Sequence, residues 1–226
     1  KVEWKSVPYA RLRAFAVESA GSWDRDAELK LFCKTYWING SPGSVIKQDL
    51  RKGRADIVAI QSFLAAQVLG AEEGSATSAA SGEAAASAPG GLEGFLAWIG
   101  DDAHEIDPQE VDTTLHSSPP ILQPDESVEV CFKIGRDMFV FTTKRVLSVD
   151  VQGWTGKKVE YMSVPLRYCS AFAVRSAGTI SLFDSAFFSI YMSVPGRSKV
   201  KQDLTKAKTN IWAVQTHLAK KLLCRG

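Results

Sequence analysis

Histidine and cysteine are both scarce, three and four residues in a chain of 226. His104, His116 and His217 have no cysteine or carboxylate at a recognisable ligand spacing, and Cys33, Cys131, Cys169 and Cys224 form no C-x-x-C pair. Neither a zinc site nor a disulfide framework is expected; buried free thiols are, which suits an intracellular, reducing compartment. G-x-S-x-G, H-E-x-x-H and the P-loop are also missing. With no nucleophile–base pair to assemble, the chain reads as a non-enzyme that needs no cofactor. No apolar run reaches the length of a membrane-spanning helix. The formal net charge of +2 is too small a bias to argue for nucleic acid. Hydrophobic content of 45% with 23% charged residues is that of an ordinary globular protein, and the length suffices for two small domains. An initiator methionine is lacking too; Lys1 opens inside a repeat, so any targeting peptide would lie upstream.

What the chain does have is that repeat. Residues 1–21, KVEWKSVPYARLRAFAVESAG, align without a gap on residues 158–178, KVEYMSVPLRYCSAFAVRSAG. The match resumes at KQDL, residues 47–50 and 201–204, and ends with Ile57, Gln61 and Leu64 against Ile211, Gln215 and Leu218. Agreement this dense means one structural unit used twice.

Alternation predicts strands over residues 1–8, 12–19, 28–38 and 44–50, with a turn at Asn39–Gly43. Asp56 is placed to cap a helix carrying Ile57, Ile60, Leu64 and Val68. Residues 71–91 are Ala, Ser, Gly and Glu without periodicity, a flexible linker. A short amphipathic helix is expected over 92–99, and Asp107-Pro108-Gln109-Glu110 is a helix start that runs to about Leu115. Strands follow over 127–134, 138–142 and 145–151; the repeat pattern then returns, with strands near 159–164, 170–176, 186–193 and 198–203 and a closing helix from about Asn210. The second unit is thus a small curled antiparallel sheet of seven strands plugged by its C-terminal helix. The first unit has no counterpart of residues 127–151. Open edges invite pairing, so upstream sequence or another chain is expected to cover that edge.

The run FKIGRDMFVFTTKRVLSVDVQGWTGKKVEYMSVPLRYCSAFAVRSAG resembles the bacterial pleckstrin-homology-like domain: Arg136-Asp137, residues 139–142, Lys144-Arg145, Asp150, Gln152-Gly153, Thr155-Gly156 and residues 157–161 fall on its motif. In the first copy Asp24, Asp26, Ala27, Glu28 and Leu29 resemble its D-x-D-A-E-L segment, which the second copy replaces by Leu182-Phe183-Asp184-Ser185-Ala186-Phe187. The resemblance implies a mainly β (α+β) fold of two tandem PH-like curled sheets or barrels, each closed by a C-terminal helix. Domain one covers residues 1–70 and lacks its opening strands; 71–91 is linker; 92–226 is a complete domain two with a helical N-terminal extension. Family members are similar in forming ring-like oligomers.

Three constellations compete for function. Lys133, Arg136, Lys144, Arg145, Lys157 and Lys158 lie on or beside the strands from which pleckstrin-type folds grip inositol phosphates. The plainer reading, a solvated strand edge guarded by lysines, weighs more. Asp24, Asp26 and Glu28 share a strand face but supply too few oxygens for calcium, and no metal is expected. Trp154 sits at a hairpin tip, either a partner anchor or folded back over its own sheet. In residues 186–192 both faces are apolar, Phe188, Ile190 and Met192 on one side and Phe187 and Tyr191 on the other, where a half-exposed strand alternates. The second face therefore covers a partner, or lies under helix 92–99. The chain is expected to be a non-catalytic scaffold or subunit that binds proteins or itself, with a peripheral adaptor for anionic lipid head groups as the alternative.

Overall fold

The computed structural model describes residues 6–20, 26–38, 41–51, 55–70, 106–117, 120–152, 158–176, 186–203 and 211–223. Expectations for residues 1–5, for the 71–91 linker, for helix 92–99 and for Trp154 and Lys157 lie outside them.

The first copy contributes β1 (Leu12–Glu18), β2 (Asp26–Ile38), β3 (Ser41–Arg51) and α1 (Ile57–Gly70). Then come α2 (Pro108–Ser117), β4 (Val128–Ile134), β5 (Asp137–Thr142), β6 (Arg145–Gln152) and β7 (Lys158–Pro165). The second copy closes with β8 (Cys169–Arg175), β9 (Phe187–Met192), β10 (Lys199–Asp203) and α3 (Ile211–Leu223). Local signals act as chemistry requires. Asp56 Oδ1 accepts hydrogen bonds from the Val58 and Ala59 amides, 3.0 Å each, and Asp107 Oδ1 accepts one from Gln109. A 3-10 turn precedes both β1 and β8, Tyr9–Arg11 and Leu166–Tyr168, at the same place in each repeat.

Two departures are informative. The turn expected over Asn39–Gly43 is shorter, because Tyr36, Trp37 and Ile38 pair with Gly43, Pro42 and Ser41 and carry the β2–β3 ladder to the tip. Residues 6–8, expected to end a strand, have no regular structure, whereas their counterpart β7 is held along eight residues by β6.

Strand order is β3-β2-β1-β7-β6-β5-β4 in a seven-stranded sheet and β10-β9-β8 in a three-stranded one. All pairs are antiparallel, and β1 joins β7 with Phe15, Ala16, Val17 and Glu18 opposite Ser163, Met162, Tyr161 and Glu160. The free side of β1 is therefore covered from within the chain, by β7 of the second copy. The three-stranded sheet and α3 lie over one face of the large sheet and enclose Phe132, Phe139, Phe141, Phe188, Ile190, Val214 and Leu218. On the opposite face, Val111 and Leu115 of α2 pack on Met138, Val140, Leu147 and Val149, while Leu64 and Val68 of α1 pack on Leu12, Phe15 and Cys33. Ala14, Ala16 and Phe32 of the first copy extend the floor of the second copy's barrel. The β9–β10 hairpin rests on that floor: Gly196 turns it with φ of 76°, and a Cβ there would stand 2.9 Å from Val45 Cγ2.

Candidate protein interface

The seam between the copies is built from a sheet edge, a helix face and an ion cluster. The edge joins the two copies directly: β1 pairs with β2 on one side and takes β7 on the other, and Ser19 N donates to Val159 O at 2.8 Å to continue that ladder. The helix face is polar where it meets β7. Gln61 Nε2 donates to Ser163 Oγ (2.8 Å), which also accepts from Arg145 Nη1 (2.9 Å). Ser62 Oγ donates to Pro120 O (2.5 Å), and Gln123 Nε2 donates to Ser62 O (3.1 Å). Arg167 of the second copy donates to Val68 O at the end of α1.

The ion cluster follows from register. Glu18 stands directly opposite Glu28 on one side and Glu160 on the other, an arrangement that repels. Lys30 Nζ resolves it, at 2.9 Å from Glu18, 3.2 Å from Glu28 and 2.7 Å from Glu160. Lys158 takes the other oxygen of Glu18 (2.5 Å), and Arg197 reaches Glu160 (3.2 Å). Burial works against the Lys30 ammonium, yet its hydrogen bonds to Glu160 and Glu18 outweigh that and raise its pKa above the ordinary lysine value. For Glu18, burial raises the pKa, but hydrogen bonds from Lys158 and Lys30 prevail and hold it below the ordinary carboxylate value.

Of the six cations singled out by sequence, the five that lie among the described residues do not converge. Arg145 is fully buried rather than on an open strand edge: Nε donates to Glu126 Oε1 (2.9 Å), and Nη2 donates to Ile121 O (2.6 Å) and Glu126 Oε2 (3.0 Å). Its burial lowers the guanidinium pKa, against the pull of Glu126. Lys133 is 3% exposed on β4, Arg136 is half-buried in the β4–β5 turn, Lys144 pairs with Asp125 (2.6 Å) and Lys158 with Glu18. Lys144, Arg145 and Lys158 are each engaged by a carboxylate of the chain.

On β9 the two apolar faces separate as the pattern requires. Phe188, Ile190 and Met192 fill the barrel, while half-buried Phe187 and exposed Tyr191 point outward. Lys201 Nζ lies 3.9 Å from the Phe187 ring centre, the Arg175 guanidinium 5.7 Å from it, and Lys199 Nζ 5.2 Å from that of Tyr191. Between the rings Ser189 is buried, and its hydroxyl has no partner. Trp212, 79% exposed, and Leu223 stand outward on α3. Among the described residues no group of three or more His, Cys, Asp or Glu side chains could hold a metal ion, and no helix is long and apolar enough to cross a membrane. Cys33, Cys131 and Cys169 are buried and form no disulfide, and desolvation pushes the Cys131 thiol up to about 12.

Sequence reasoning passed over Lys30, Gln61 and Glu126. A signal existed for one of them: a glutamine recurs at the same place in both helices, Gln61 and Gln215, amid apolar neighbours.

The bacterial PH domain family model matches residues 1–68 and again residues 98–222. A pleckstrin-homology domain protein of the DUF1696 family from Shewanella loihica PV-4 is 33% identical, covering 54% of this chain and 99% of its own, with a TM-score of 0.46. The pleckstrin homology domain from Shewanella amazonensis SB2B is 32% identical over 57% of this chain and 98% of its own, with a TM-score of 0.44. The uncharacterized protein YjqA of Bacillus subtilis (strain 168) is 50% identical over 62 residues, 27% of this chain, and the chain spans 50% of that relative's length. Both matched segments coincide with the two copies of the repeat, and the chain belongs to the bacterial PH domain family.

Proposed function

We propose that this protein is a non-catalytic binding and assembly module that joins PH-like units to one another. The observation that carries this is the β1–β7 seam: a half-unit of three strands and a helix docks on the sheet edge of a complete unit, held by a shared ladder, Gln61 on Ser163 and the Lys30 cluster. Such a joint needs no substrate and no cofactor. It supplies what a scaffold subunit needs, a pair of complementary edges with a polar lock that sets register. The lipid-reading alternative draws less support, because its basic residues are dispersed or engaged with carboxylates.

The test cuts the tether and leaves the joint. A specific protease site is inserted within residues 71–91 of the full chain, and the protein is cleaved. The two pieces are expected to co-elute on size exclusion at micromolar concentration. Pieces that separate would overturn the reading, since the seam would then depend on the covalent link alone.

A further inference from the structure

Residues 120–126, between α2 and β4, carry part of the contact with α1. Pro120 O accepts from Ser62 Oγ (2.5 Å), and Gln123 Nε2 donates to Ser62 O (3.1 Å). Whatever fixes this segment therefore also fixes the seam. At one end Leu115 O, in α2, accepts from the Ile121 and Leu122 amides at 2.8 and 3.1 Å. At the other the Glu126 carboxylate takes the Gln123 amide (3.1 Å) and the Arg145 guanidinium (2.9 and 3.0 Å). The third tie is the ring of His116, in the last turn of α2.

His116 Nδ1 lies 2.9 Å from Asp112 O, and Nε2 lies 3.1 Å from Gln123 O. Gln123 O also accepts from the Glu126 amide at 2.9 Å, so the ring nitrogen takes its second lone pair. A carbonyl oxygen only accepts, and each contact is a hydrogen bond only when the nitrogen carries a proton. A neutral imidazole has one such proton and an imidazolium has two, so the charged ring alone makes both bonds together. We propose that His116 is a proton-operated latch on the seam: its charged ring ties α2 to the Gln123 turn, and loss of one proton frees that turn and loosens α1. This rests on the assembly reading above and adds a regulator to it.

The surroundings favour the charged ring. On α2 itself, Asp112 Oδ2 stands 3.3 Å from Nδ1, while Asp112 Oδ1 accepts from the Val128 amide (2.7 Å) and is held in place by it. On the 120–126 segment Glu126 is buried against Arg145 of β6, and exposed Asp125 is engaged by Lys144. The α1 helix brings no charge, since Ile57–Gly70 contains none. Burial works against the imidazolium, yet the two carbonyls and the carboxylates of Asp112 and Glu126 outweigh it and raise the pKa above the ordinary histidine value. A raised folded pKa means that the tie is full below 6.5 and is lost as pH climbs through the folded value. His217 acts the other way: burial lowers its pKa despite Glu129 at 3.9 Å, so its influence is confined to more acidic solution.

The full chain is labelled with nitrogen-15, and the His116 ring is followed by NMR from about pH 6 to about pH 8.5. Amide exchange over the same range, taken relative to an unfolded chain at each pH, reports opening of the seam. Both ring nitrogens are expected to be protonated at the acid end. The Ser19 amide, which donates to Val159 across the seam, and the amides of α1 lose about tenfold in protection across the range, the worth of one charge-assisted hydrogen bond. His116→Gln, which does not titrate, abolishes that dependence, and His217→Gln keeps it. A ring with one proton at the acid end, seam protection that stays level with pH, or a dependence that survives in His116→Gln each overturns the proposal; the ring titration needs no variant to fold. The cleaved-tether experiment separates the two claims. Pieces that hold together equally at both ends of the range refute the latch and leave the assembly reading standing, whereas pieces that part at both ends, with ring and exchange as expected, refute the assembly reading alone.

Discussion

Replacing Lys30 by methionine tests the seam at its most coupled point. Methionine keeps the unbranched stem and removes the charge that three glutamates share. An exposed ion pair is worth about 0–1 kcal/mol, and breaking a fully buried one costs about 3–5 kcal/mol. Lys30 retains 16% exposure of its side chain, and Lys158 and Arg197 still hold the outer oxygens of Glu18 and Glu160. The loss falls between those limits, about 2–3 kcal/mol. That lowers the melting temperature by about 4–12 °C for a chain of this size. The pH dependence is a second readout. Glu18 has a folded pKa depressed below its reference of 4.5, so its contribution is full above that value and is lost as pH falls through the lower folded pKa. Lys30 has a raised pKa, so its contribution is full below 10.5 and fades as pH climbs through the folded value. Without Lys30 the facing carboxylates repel at neutral pH and are relieved by protonation. The gap between wild type and Lys30→Met, read from urea midpoints, is therefore widest near neutrality and narrows below about pH 4. Amides of β1 exchange faster in the variant than those of β5. A loss under 0.5 kcal/mol at pH 7, or one unchanged at pH 3, refutes the reasoning.

Two further outcomes follow from burial. Arg145→Met leaves the Glu126 carboxylate buried without its cation and costs about 3–5 kcal/mol in urea unfolding, while Arg145→Met combined with Glu126→Gln is more stable than the single variant; equal stabilities would show that the pair is not coupled. Phe188→Ala empties the middle of an aromatic cluster whose ring centres lie 5.1–6.0 Å away, at about 3–5 kcal/mol, whereas Phe187→Ala removes a half-buried ring stacked by Lys201 and costs about 1 kcal/mol; a reversed order would mean that β9 faces the other way.

The repeat, the two helix caps and the two-faced β9 were all legible in the sequence, because each rests on neighbours within a few residues. What was not legible is what joins distant parts. Lys30 and Glu160 lie 130 residues apart, and nothing in the local alternation of either strand says that β1 will take β7 as its neighbour. Arg145 misled for a related reason. An arginine after a lysine reads as surface charge, and only Glu126, Ile121 and Ser163 closing around it make its burial affordable. The edge of the first copy was recognised as a problem; its solution inside the same chain needed coordinates.

The Gly196 turn has a consequence for how the two copies change over time. Its φ already disfavours any side chain, and Val45 from the other copy closes the space a Cβ would enter. A side chain at position 196 of the second copy's hairpin would thus collide with Val45 of the first, and a larger residue at 45 would press on the hairpin. The two positions are coupled, so a change at one is accommodated only together with a change at the other.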